Sequence, residues 1–195
     1  MKRTRIVPLV FLIPALLLSR TERGFSQATP VSAGHYGNVG SIYGVAVAGN
    51  YAYLADDFYG LGVYNISDRT NPVSVAYTNN GGYAQGVAVA GNYAYLANYD
   101  DGLRIYAVSN PAKPINVGHA YDNGDANSVA VAGNYAYLAN GSDGLRIYNV
   151  SDPTNPLSVG QIYDAGTAQG VAVAGSYAYI ANSNDGLRIY DVSDP

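Results

Sequence analysis

Carboxylates recur in this chain beside turn residues and tyrosines. Asp56, Asp57, Asp100, Asp101, Asp125, Asp143 and Asp185 share short variable segments with Tyr59, Tyr83 and Tyr99. Three kinds of chemistry use such groups. Two carboxylates about 5 to 9.5 Å apart can hydrolyse a glycosidic bond when their pKa values differ. Asp, Asn and carbonyl oxygens can hold Ca2+. Carboxylates mixed with exposed phenols can bind a cationic or hydroxyl-rich partner, because Tyr gives a large contact area at low entropic cost. Adjacent pairs such as Asp56-Asp57 are too generic to specify hydrolysis. No segment has the twelve-residue calcium-loop spacing, which ends in Glu, and the only Glu of the chain is Glu22. Asp and Asn are also ordinary turn formers. These residues are therefore read as a binding rim, with no catalytic residue assigned. No cofactor is expected beyond a weak Ca2+ site.

Other reactive side chains give less. Ser67, Ser109, Ser151 and Ser193 lie 42 residues apart, which suits turn caps rather than a nucleophile. His35 and His119 fall in edge-strand segments. The absence of Cys excludes disulfides, thiolate metal sites and a cysteine nucleophile. Gly81-Gly82 lacks the Lys and Ser or Thr of a phosphate loop.

The elements that must position these groups repeat. GVAVAGNYAYLA at 44–55 returns at 86–97, then as SVAVAGNYAYLA at 128–139 and GVAVAGSYAYIA at 170–181. Val45, Val87, Val129 and Val171 mark a constant period of 42 residues. Such a period filled with Val, Ile, Tyr and Leu between Gly, Asn, Asp and Pro is that of a propeller blade. In the second unit the spacing predicts strands over 87–90, 93–97, 103–108 and 115–121, with tight turns at Gly91-Asn92 and Asp101-Gly102. In LRIYNV at 145–150, Leu145 and Ile147 point one way and Tyr148 and Val150 the other, so both blade faces are apolar and need neighbours. The fold expected is all-β, a β-propeller of four-stranded antiparallel blades. Complete units run over 45–86, 87–128 and 129–170, and a composite blade joins 171–195 to 29–44. Residues 29–44 overlay the fourth-strand stretch 155–170, so strand pairing between the two ends could close a four-bladed ring. A homodimer of two half-rings, or a segment of a larger propeller, fits the same phase.

In such blades the loops between the second and third strands share a rim with the loops between blades. That rim collects the Asp residues named above, Asp122, Asp164, and Asn98, Asn140 and Asn182. The opposite rim, with Arg69 and Lys113, is closer to neutral.

The first 28 residues read as an export signal. Lys2, Arg3 and Arg5 precede a 13-residue apolar run, Ile6–Leu18, and Ser26-Gln27-Ala28 offers a cleavage site. That run spans roughly 20 Å against a hydrocarbon core of about 30 Å, too short to cross a membrane. Beyond residue 28 there are 13 Asp against five Lys or Arg, a net charge of −8. Such a chain is not expected to bind nucleic acid or, after signal cleavage, an anionic membrane. A secreted, periplasmic or cell-surface location is expected.

The stretch DGLRIYNVSDPTNPLSVG at 143–160, with counterparts at 101–118 and 185–195, resembles the LVIVD repeat of secreted and surface-associated bacterial and archaeal proteins. The resemblance covers residues 29–195 and implies a β-propeller, usually with more repeats, and a largely uncharacterised function. It brings no catalytic residues. Tyr106, Tyr148 and Tyr190 stand where the repeat name has Val. The first unit departs further, with Gly62 in place of Arg. The function expected is a non-catalytic extracellular or cell-surface scaffold that binds a protein or glycan through the Asp/Asn-rich rim. The alternative is a secreted hydrolase or lyase with an acidic site at the channel mouth.

Overall fold

The computed structural model describes residues 31–37, 40–79, 81–121, 124–163 and 165–195. Residues 1–28, expected from the sequence to be an export signal, and Asp122 and Asp164 lie outside the described residues. One compact unit runs from Ser32 to Pro195.

Four sheets follow one another along the chain, each an up-and-down antiparallel meander. The first holds β1 (Ile42–Ala48), β2 (Tyr51–Asp56), β3 (Gly60–Asn65) and β4 (Val73–Thr78). The second holds β5 (Gly86–Ala90), β6 (Tyr93–Ala97), β7 (Leu103–Ala107) and β8 (Ile115–Ala120). The third holds β9 (Ser128–Ala132), β10 (Tyr135–Ala139), β11 (Leu145–Asn149) and β12 (Leu157–Ile162). The last has three strands, β13 (Ala168–Ala174), β14 (Tyr177–Asn182) and β15 (Gly186–Asp191). The first strands of successive sheets, β1, β5, β9 and β13, pack on one another and line a common axis. These are the blades of a β-propeller, and the strand positions match the sequence reading to within a residue at each end.

Blades hold together because both faces are apolar at fixed repeat positions. Tyr95, Ala97, Leu103 and Ile105 of the second blade meet Ala126, Val129, Ala136, Leu138, Tyr148 and Val150 of the third side. The same positions, one repeat earlier and one later, form the other two junctions. Leu61 and Val63, Leu103 and Ile105, and Leu145 and Ile147 thus face the next blade, and Tyr106 with Val108, Tyr148 with Val150, and Tyr190 with Val192 face the previous one. The serines at 42-residue spacing sit in turns: the backbone N–H groups of Ser67, Ser151 and Ser193 donate to the side chains of Asn65, Asn149 and Asp191 at 2.8 to 3.0 Å.

Among the described residues the last sheet has three strands, with no fourth beside β15, and residues 32–37 carry no strand. That segment lies against the first blade, where a Cβ on Gly34 would come within 1.9 Å of the Arg69 carbonyl oxygen.

Burial also raises the phenol pKa of Tyr53, Tyr95 and Tyr137, which occupy one repeat position, with a smaller push from Tyr51, Tyr93 and Tyr135 respectively. A raised folded-state value leaves stability intact below the unfolded pKa of about 10 and removes it progressively above that pH. Urea unfolding at pH 8 and pH 11 should therefore show a loss in alkali, and replacing all three with Phe should flatten the slope.

Candidate functional site

The rim is organised by a repeated stitch between each β2–β3 type turn and the loop that follows its blade. Asp57 bridges Ala84, Tyr99 bridges Ala126 and Gly141 bridges Ala168. In the second stitch the Tyr99 and Ala126 N–H groups each donate to the other's carbonyl at 3.0 Å. The two loop classes assigned to one rim are thus joined directly.

The residue after each second strand, or at its end, is a buried Asx. Asp56, Asn98 and Asn140 are 0% exposed and Asn182 is 1% exposed. They are not solvated rim groups, and Asp56 is removed from the exposed binding surface. Each lies under a glycine of the neighbouring loop: a Cβ on Gly82 would come within 2.2 Å of Asn98 Nδ2, and one on Gly124 within 2.1 Å of Asn140 Nδ2. Sequence reasoning missed this seat. Its signal was present, since Gly40, Gly82, Gly124 and Gly166 keep the same 42-residue spacing as the Asx residues.

Asp101, Asp143 and Asp185 make ion pairs three residues along the chain, with Arg104, Arg146 and Arg188. Asp101 is the most tied. Arg104 Nη2 donates to it at 3.0 Å, Asn98 Nδ2 at 2.7 Å, and His119 Nε2 lies 2.8 Å from its backbone carbonyl oxygen. Burial pushes the Asp101 carboxyl up, but the hydrogen bonds from Arg104 and Asn98 outweigh it and hold the group below the usual carboxylate range.

The first blade replaces this ionic set with aromatics. Gly62 stands where the other blades have Arg, and Tyr77 fills the space: a Cβ on Gly62 would meet Tyr77 Cε1 at 2.9 Å. The Tyr77 and Tyr64 hydroxyls hydrogen-bond to each other. Burial, then that hydrogen bond, pushes the Tyr77 phenol well above its ordinary pKa, with Asp56 adding to the effect. Edge-to-face contacts continue from Tyr77 to Tyr59 at 6.4 Å between centroids. A second aromatic run, Phe58–Tyr83–Tyr99, has centroid separations of 4.6 and 6.2 Å. Tyr59, Tyr83 and Tyr99 are all exposed, as is Asp100, while Asp57 and Asp125 are half-buried.

Tyr99 is the focus of the rim. Its φ is +49°, where the third blade has Gly141 at +57°. A non-glycine residue in that region is uncommon and strained. Asp125 faces the Tyr99 phenol, raising its pKa by its charge and by accepting a hydrogen bond. A cavity of about 160 Å3 is lined by Tyr83, Gln85 and Tyr99. Another, of about 170 Å3, is lined by Gly81, Asp100, Asp101 and Tyr121. One wall set is aromatic and the other acidic, and the neighbours Tyr99 and Asp100 belong to one each. Asp143 and Asp185 belong to other blades and line neither. Among the described residues no three His or carboxylate side chains converge as a metal site.

Comparison with known proteins places the fold and the repeat. The crystal structure of the computationally designed Ika4 protein is similar over 85% of this chain and 100% of its own, with TM-score 0.68 and 8% identity. That of the computationally designed Ika8 protein is similar over 79% of this chain, with TM-score 0.65 and 6% identity, and this chain covers 46% of it. No curated protein matches. The LVIVD repeat model matches residues 39–79, 81–122, 123–164 and 165–195. The chain belongs to the LVIVD repeat family.

Proposed function

We propose that this β-propeller is a non-catalytic extracellular or cell-surface scaffold that binds a glycan at the rim of its second blade. The observation that carries the reading is Tyr99, held at positive φ between an aromatic cavity and an acidic one. Positive φ is kept by non-glycine residues at Asp57 and Tyr99, where the third blade has Gly141, which points to a use for these side chains. Tyr83 and Tyr99 offer faces for a sugar ring, and Asp100 and Asp101 offer acceptors for its hydroxyls. Binding is favoured over hydrolysis because Asp101, tied to Arg104, is held ionised and is a poor general acid. The acidic charge and the leader fit work outside the cytoplasm.

Replacing Tyr99 with Gly removes the ring and relaxes the backbone together. The expected result is a stability change within about 1 kcal/mol and at least a tenfold loss of glycan affinity. Titration calorimetry with glycans selected from an array would measure it. Unaltered binding in the variant would overturn the site, and binding of a protein but no glycan would overturn the ligand class.

A further inference from the structure

The aromatic part of the rim departs from the repeat at one junction only. Phe58, Tyr83 and Tyr99 are exposed and adjoin one another across the first and second blades. One repeat later their positions hold Asp100, Asp125 and Gly141, and two repeats later Ser142, Thr167 and Ser183. The buried positions keep their residue types from blade to blade, and the two later junctions pack without such rings. These three are therefore not needed to hold blades together.

The rings stand as walls rather than as a flat platform. Phe58 lies at 62° to Tyr83, and Tyr83 at 83° to Tyr99. Rings at right angles form two sides of a corner, and the cavity of about 160 Å3 lies between Tyr83 and Tyr99, with Gln85 as its third wall. That is below the roughly 300 Å3 at which drug-sized pockets begin, room for one head group or sugar ring rather than a length of chain. Gln85 can offer its amide oxygen there. Its counterpart one repeat later, Asn127, donates its amide to the Ala168 carbonyl at 3.0 Å.

Carboxylates without a cation of their own surround this corner. The bridge between Tyr99 and Ala126 brings Asp125 to Tyr99, and that between Asp57 and Ala84 brings Asp57 to the segment of Tyr83 and Gln85. Asp125 accepts a hydrogen bond from the Tyr99 phenol, and Asp100 adds its charge there. The ion pairs of the described residues use Asp101, Asp143 and Asp185, leaving Asp57, Asp100 and Asp125 uncompensated. A phenol that donates to a carboxylate also has an electron-richer ring, which strengthens its pull on a cation.

We propose that the glycan bound at this rim carries a free amine, the ammonium group of one amino sugar seating between Tyr83 and Tyr99 beside Asp100 and Asp125. This rests on the glycan reading and names its class. An ammonium answers both surfaces at once, the ring faces through their quadrupoles and the carboxylates through charge. The sugar hydroxyls then face the adjoining cavity of Asp100 and Asp101. N-acetylation removes the charge and leaves only the ring contacts.

Titration calorimetry on the full chain at about pH 5.5 and low salt tests this, since the carboxylates and the sugar amine are then charged. The probes are the glucosamine trimer, the N-acetylglucosamine trimer and a neutral glucose trimer. The glucosamine trimer is expected to bind at least about tenfold more tightly than either, and added salt should shrink that preference. Asp125→Asn keeps an acceptor for the Tyr99 phenol and removes the charge, so most of the preference should go. Tyr83→Leu, which alters an exposed ring and no junction core, should do the same. A preference kept in full by both variants would mean that general charge attraction suffices, and would overturn the corner. Equal or tighter binding of either uncharged trimer, or an array-selected glycan that binds here without an amine, would overturn the amine and leave the glycan reading standing. Failure of every glycan to bind would overturn both.

Discussion

Leu145→Ala is expected to lower the unfolding free energy by about 3 kcal/mol, while Leu187→Ala, the same substitution one repeat later, should change it by no more than about 0.5 kcal/mol in dilute single chains. Leu145 is 0% exposed and fills the junction between the third and fourth blades. Removing its methyl groups loses their transfer free energy and leaves a cavity that β-strands on either side cannot close. Leu187 is mostly in water, so truncation removes little. Denaturant midpoints of the two variants, compared at low concentration, check this. Equal costs for both variants at every dilution would mean that the last blade face is already covered within the chain.

Gly118→Ala is expected to be as damaging, about 3 kcal/mol, whereas Gly34→Ala should be nearly silent in the single chain. A Cβ on Gly118 would lie 2.0 Å from the Pro153 carbonyl oxygen, and that oxygen belongs to a backbone turn fixed by its own hydrogen bonds. Gly118 is held in β8 by pairing with Ile105, so strand and turn would have to part. Gly34 has the matching clash with Arg69, but among the described residues its segment carries no strand pairing and meets the first blade through the edge-to-face contact of Tyr36 with Tyr64, so it can shift. Thermal unfolding of both variants measures the contrast. A large loss for Gly34→Ala would show the segment to be anchored on the first blade as firmly as β8 is on the third.

The sequence reading located strands well because each is bounded by turn residues and repeated in phase. Val87 to Ala90 and Tyr93 to Ala97 needed nothing beyond local pattern. The face assignment of Leu145 and Ile147 against Tyr148 and Val150 also followed, since alternation in a strand is geometric. The shared rim was legible from topology, and the bridges at Asp57, Tyr99 and Gly141 are its backbone expression. Burial of Asp56, Asn98, Asn140 and Asn182 was not. Asx side chains are chemically suited to both a wet turn and a dry seat, and only the partner glycine one loop away distinguishes them. The role of Gly62 was likewise hidden, because Tyr77, which fills its space, lies across a strand pair.

The blade junctions reuse one set of residue types, and this sameness affects folding as well as the finished propeller. A blade from one molecule fits the face of a blade in another nearly as well as its own neighbour, so nothing local distinguishes the correct partner from a shifted one. Correct assembly must then depend on tethering: the short connections between blades raise the concentration of the right neighbour far above that of any stranger. Crowded refolding should weaken that advantage and produce chains offset by whole units, an error made of native contacts.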